Sequence, residues 1–109
     1  MVNNFVYKAF KYKKITLFEG HFRRNYIHIN DVCRVFLFGI KNFSKFKNNI
    51  FNVGLSSANL TKKQLCHKIK KNIPDLIIEN DEFAKDPDKR DYIVSNKKLE
   101  KTGFKPIYS

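Results

Sequence analysis

Val2, Phe5, Val6, Ala9 and Phe10 recur at the i, i+3, i+4, i+7, i+8 spacing that lines one face of a helix, and they predict a first helix that opens the chain almost without a leader. Ile15-Thr16-Leu17-Phe18 reads as a short strand ended by Glu19-Gly20, and Tyr26-Ile27-His28-Ile29 as another, with the adjacent Arg23 and Arg24 between them. Val32, Val35, Phe36, Gly39 and Ile40 repeat the helical spacing as far as Asn42. Asn30 or Asp31 is the expected N-cap of that helix, because a short side-chain oxygen there accepts a hydrogen bond from an unpaired first-turn amide.

Phe43-Ser44-Lys45-Phe46-Lys47-Asn48-Asn49 then reads as a basic loop, and Ile50-Phe51-Asn52-Val53 as a strand terminated by Gly54. Thr61 and Gln64 have the spacing of a capping box, and Leu60 and Leu65 that of a hydrophobic staple. The helix they open continues through Ile69 and Ile73 and must stop before Pro74, which disfavours a helical predecessor. Leu76-Ile77-Ile78 is expected as a short buried strand, and the charged stretch from Asn80 to Arg90 as an exposed loop. Ser95 is placed to cap a last helix running to Thr102, with Gly103 as its stop and Pro106 beyond. The order is that of an α/β chain with three to four helices and short strands. Its 109 residues allow one modest core and no second independent domain, so residues 1–109 form a single domain on this reading.

Composition sharpens the picture. Hydrophobic residues make up 42% and aromatics 15%, with eleven Phe, which excludes a disordered tail. A net charge of +12 raises the prospect of a polyanionic partner, but eighteen Lys stand against four Arg, and lysine is the ordinary residue of a solvated face. Cys33 and Cys66 are too far apart for a C-x-x-C clip and sit in apolar stretches, where a reduced thiol behaves as a small core hydrophobe. The amino-terminal residues lack the pattern of a signal peptide, and the apolar run from Val35 to Ile40 is far short of a membrane span. A soluble cytoplasmic protein is expected.

Candidate chemistry is sparse. Four glycines, at 20, 39, 54 and 103, leave no room for a G-x-G-x-x-G or Walker loop. His21, His28 and His67 have no metal-ligand spacing. Tyr7 and Lys11 have the Tyr-x-x-x-Lys spacing by which a lysine assists a catalytic tyrosine, but no nucleotide-binding turn precedes them. Arg23 and Arg24 are the more informative pair, since the guanidinium offers a fixed fork to phosphate oxygens and is scarce here.

The segment Gly20-His21-Phe22-Arg23-Arg24-Asn25-Tyr26-Ile27-His28-Ile29-Asn30-Asp31-Val32 resembles the Arg-Asp-Tyr-Ile-His-Val-x-Asp-Val signature of the extended short-chain dehydrogenase/reductases, the NAD-dependent epimerase/dehydratase group. Phe51-Asn52-Val53-Gly54 resembles their Tyr-Asn-Val-Gly, and the stretch from Ser95 to Pro106 their closing Ser-Lys-x-x-x-x-Leu-Gly-Trp-x-Pro. Together the three cover about the C-terminal third of a typical member. The resemblance implies the small substrate-side lobe of such an enzyme with the Rossmann cofactor domain absent.

On that pattern Arg24 corresponds to the arginine on the nucleotide-sugar diphosphate, Phe18 lies beside the uracil or thymine base, Asn52 makes a polar contact near the base, and Arg90, ahead of Tyr92, is a second diphosphate arginine. Asn25 replaces the family's usual Asp, with weaker hydrogen bonding expected around Arg24. The Gly-rich turn and the catalytic Tyr-x-x-x-Lys belong upstream, Tyr7 and Lys11 falling in a substrate-side helix, and Met1 sits where a full member has already completed most of its cofactor domain. The implied protein is therefore a fragment that binds a UDP- or dTDP-linked sugar, holds no NAD(P) itself, and is inactive alone, with a separately encoded cofactor half or a second copy as partner and no membrane. The alternative is a small basic nucleic-acid-binding module, supported by the Lys/Phe interleaving from Lys41 to Lys47.

Overall fold

The computed structural model describes residues 1–108 and is a small mixed α/β protein with five α-helices and short strands. The elements are α1 (Val2–Tyr12), β1 (Lys14–Phe18), β2 (Arg23–Asn25), α2 (Ile29–Lys41), α3 (Phe43–Phe46), a 3-10 turn (Ser56–Ala58), β3 (Asn59–Thr61), α4 (Lys62–Asn72), β4 (Ile77–Asp81) and α5 (Lys97–Glu100). None of the helices among the described residues is long and apolar enough to cross a membrane. The chain divides into two compact units, each assembled from separated stretches: residues 1–23 with 60–91, and residues 24–59 with the chain from Tyr92 onward.

In the first unit α1 ends at Lys13, whose left-handed conformation (φ 54°) and N–H bond to the Ala9 carbonyl turn the chain directly into β1. β1 alternates exposed and buried, sending Ile15 and Leu17 inward, and pairs in parallel with β4 in the register Lys14↔Ile77 to Phe18↔Asp81. β4 starts one residue after the expected Leu76, runs on to Asp81 and is not the buried strand expected, since Ile77 is 57% exposed and only Leu76, just before it, is buried. The ladder needs backbone rather than apolar side chains, and Glu79 adds an ion pair to Lys14 at 2.9 Å. Ala9, Ile15, Leu17, Leu65, Cys66, Ile69 and Leu76 are buried here. α4 begins with both halves of the capping box: Gln64 N–H donates to Thr61 Oγ1 at 3.1 Å and Thr61 N–H to Gln64 Oε1 at 2.9 Å. It stops before Pro74, as expected, but ends at Asn72 with Ile73 as its C-cap rather than continuing through Ile73. Burial pushes the Cys66 thiol up to about 11.

The second unit departs further from expectation. The segment from Tyr26 to Ile29 is not a strand; β2 lies earlier, and His28 caps α2, its Nδ1 accepting from Asn30 N–H at 3.1 Å. Asp31, an expected cap, is instead fully buried in the first turn and accepts N–H bonds from Ile107 (3.1 Å) and Tyr108 (2.9 Å) and one from Arg34 Nη1 (2.6 Å). Burial alone would raise the Asp31 pKa; the Tyr108, Ile107 and Arg34 donors outweigh it and hold the carboxyl below its usual range. The expected loop after α2 contains α3, because Phe46 docks on Phe38 (5.7 Å, edge-on) and Phe51 (4.6 Å) beside the buried Val35, Leu99 and Phe104. The stretch Ile50-Phe51-Asn52-Val53 is accordingly not a strand: Phe51 packs into this ring cluster while Ile50 is left in water. α5 is shorter than expected, with Asn96 rather than Ser95 at its cap, and Gly103 follows at φ +95°.

One face of α2 remains uncovered in this unit. Ile29, Cys33, Phe36 and Ile40, at i, i+4, i+7 and i+11, form an exposed apolar stripe, with Phe36 71% and Ile40 72% exposed. Cys33 is therefore not the core thiol its neighbours implied, whereas Cys66 is.

Candidate functional site

The two adjacent arginines of β2 part because successive strand residues face opposite ways. Arg23 is exposed and grips Asp91 with Nε (2.9 Å), Nη2 (2.9 Å) and its backbone N–H (2.8 Å), which draws the Asp91 pKa down to about 2. Arg24 is only 5% exposed and its guanidinium lies 5.3 Å from the centre of the Tyr92 ring, within the second unit. Asn52 belongs to the same unit, is exposed, and reaches the Ser95 carbonyl only at a long 3.4 Å.

The remaining expected residues lie in the first unit. The Phe18 ring is partly exposed, and the Phe18 carbonyl accepts a short bond from Lys62 Nζ. Lys62 is itself buried, 2.5 Å from Asp86 and over the Phe22 ring, so its charge is matched and Asp86 is held below the usual carboxylate range chiefly by that bond. Arg90 is exposed and closes on Asp88 through Nε and Nη2, each at 2.7 Å.

The sequence reading missed a cluster of asparagines around Gly54. Asn25 Nδ2 donates to the Leu55 carbonyl (2.8 Å) and its Oδ1 accepts from Leu55 N–H (3.1 Å), so one side-chain amide satisfies both backbone groups of one residue. Asn59 does the same for Val94, at 2.9 and 3.0 Å, and its Oδ1 also takes Asn25 Nδ2 at 3.0 Å. Asn25, which stands where the family pattern has Asp, serves here through its amide donor, since an ionised Asp has none for Leu55 O or Asn59 Oδ1. Gly54 is where the cluster closes: a Cβ there would stand 2.0 Å from Asn25 Oδ1 and 3.0 Å from Asn96 Oδ1. Asn96 is buried with neither amide atom hydrogen-bonded among the described residues. No spacing rule announces such a cluster, since Asn25, Gly54, Asn59 and Asn96 are scattered along the chain.

Tyr7 and Lys11 do meet, Lys11 Nζ donating to the Tyr7 hydroxyl at 2.9 Å on an exposed face of α1. Bonds to Tyr7 and then Tyr12 raise the lysine's pKa, so it keeps its proton. His28 is an N-cap stacked on Tyr108, and His67 Nδ1 lies 2.8 Å from the Lys63 carbonyl, so both have structural roles. Among the described residues no group of three His, Cys, Asp or Glu could hold a metal ion. No protein-family model matches the chain.

Proposed function

We propose that this chain is the nucleotide-sugar side of an NAD-dependent epimerase or dehydratase of the extended short-chain type, unable to turn over substrate by itself. The observation that carries the reading is Arg24: the residue, in the middle of β2, is 5% exposed, its guanidinium lies 5.3 Å from the centre of the Tyr92 ring, and its planar fork is the group that suits a bidentate anion such as a diphosphate. Asn52, exposed in the same unit with Oδ1 to spare, supplies a polar group of the kind a base carbonyl or imide recognises. The hydride and proton chemistry needs a Gly-rich cofactor turn, which these 109 residues lack. The uncovered stripe of α2 is the surface on which a cofactor-bearing body would pack.

Calorimetric titration with UDP-glucose and dTDP-glucose tests the reading. Binding by the native chain, weakened about tenfold in Arg24→Lys and in Asn52→Ala, is expected, since each removes a directed contact without a large change in charge or packing. Native protein that binds neither sugar nucleotide removes the proposal. One observation favours the nucleic-acid alternative: Phe43 is 68% exposed between Lys41 and Lys45. Phe46 of the same stretch is engaged with Phe38 and Phe51, which leaves a single stacking ring there. Salt-dependent binding of an oligonucleotide, abolished in Phe43→Ala, would decide for that reading.

A further inference from the structure

A second recognition surface lies in the unit built from residues 24–59 and the chain from Tyr92 onward, and it is independent of the nucleotide-sugar reading. An open trough of about 400 Å³ beside α2 is lined by the apolar Leu37, Phe104 and Ile107 and by the cationic Arg34, Lys41 and Lys105. Arg34, Leu37 and Lys41 project about a third of a turn around α2 from the stripe of Ile29, Phe36 and Ile40, so this is a different face of the helix.

Two features give the trough a chemistry. Among its lining residues Leu37 is 59% and Ile107 66% exposed, an apolar surface still in water. Three cations line it, and Asp31, the carboxylate bonded to Arg34, is already committed to Ile107 and Tyr108 as well. Arg34 is also immobilised: Nη1 alone makes both of its hydrogen bonds, to Asp31 (2.6 Å) and to the Lys105 carbonyl (3.1 Å), while the guanidinium lies 5.4 Å from the Phe104 ring centre. The Nε and Nη2 donors, the edge that takes a carboxylate side-on, meet no acceptor among the described residues. A fork held at Nη1 and against one aromatic face, with its Nε/Nη2 edge open, costs less ordering when an anion arrives than an unanchored side chain.

We propose that this trough binds a small amphiphilic carboxylate, its head on the Nε/Nη2 edge of Arg34 with Lys41 and Lys105 beside it, and its apolar body along Leu37, Phe104 and Ile107. The probe is decanoate below its micellar range, titrated into the full chain by calorimetry and by amide NMR, against 1-decanol as the same tail without charge and propionate as the charge without the tail. Decanoate should bind one to one, shifting the amides of Leu37, Gly103, Phe104 and Ile107, with decanol weaker by about tenfold and propionate not detected. Arg34→Lys keeps a cation for Asp31 but removes the fork and should weaken decanoate about tenfold. Lys41→Gln with Lys105→Gln leaves the Asp31 pair intact, so it tests the cationic lining even where Arg34→Lys unfolds, and should weaken binding about fivefold. Equal affinity for decanol, unchanged affinity in the lysine pair variant, or shifts centred on the exposed Val6 and Phe10 of α1 would each overturn the proposal.

Discussion

The two units satisfy their backbone groups by different chemistry. In the unit of α1, β1, α4 and β4, the parallel ladder from Lys14↔Ile77 to Phe18↔Asp81 and a capped helix pair main chain with main chain, and the side chains are left to fill the core. In the other unit the stretches around Leu55, Val94 and Ile107 have no such ladder, and side chains take its place: Asn25 for Leu55, Asn59 for Val94, Asp31 for Ile107 and Tyr108. A ladder tolerates substitution because its donors and acceptors belong to every residue. A side-chain clamp does not, since one replacement removes several bonds at once and leaves buried partners unpaired.

The sharpest way to break this contrast is Asp31→Ala. It takes the acceptor from two backbone amides and the partner from Arg34, and the expected loss is about 3 kcal/mol in denaturant unfolding, with the C-terminal segment released. Gly54→Ala should cost about 2 to 3 kcal/mol, because its methyl must displace an Asn25 amide that three hydrogen bonds hold. The same change in an Asn25→Ala background should cost markedly less; a double-mutant cycle that came out additive would refute the clamp. Asn25→Asp, the residue expected from the family pattern, should itself lose about 2 kcal/mol, as two acceptors forfeit their donor.

In the ladder unit the comparable change is smaller. Thr61→Ala removes one half of the capping box and should lower stability by about 1 kcal/mol, read from the thermal midpoint. Acid should distinguish the units least, for both carry carboxylates held below the usual range near 4, Asp86 and Asp91 in one and Asp31 in the other. A depressed folded pKa stabilises above the unfolded value and loses that contribution as pH falls through the folded one. The thermal midpoint should therefore hold above about pH 4 and decline toward pH 2, where Asp91 titrates, and Arg23→Gln should flatten part of that decline. A midpoint unchanged between those limits would show that these carboxylates contribute nothing to folding.

How far the sequence could be read follows the same division. α1, β1, α2 and α4 were legible because their apolar spacing and, for α4, the Thr61–Gln64 box are local signals. α3 was hidden because Phe46 earns its position only against Phe38 and Phe51, and the apparent strand from Ile50 to Val53 failed because nothing pairs with it. Of the expected site residues, Arg24 stood out by type, but its burial and its neighbour Tyr92 were beyond any local pattern. The Arg34 trough left no signal at all, since it joins α2 to residues from 103 to 107.

By itself the sequence determined the places of α1, β1, α2 and α4, since 3.6- and 2-residue periods, caps and prolines act between near neighbours. It also determined the strong positive charge and the absence of a phosphate-binding glycine loop. Only the tertiary structure decided which arginine is buried, that asparagines clamp the loops around Gly54, and that Arg34 faces an apolar trough with one edge unspent. These depend on contacts between residues about 30 to 75 positions apart, where burial sets the cost of an unpaired group and sequence spacing carries no trace of it.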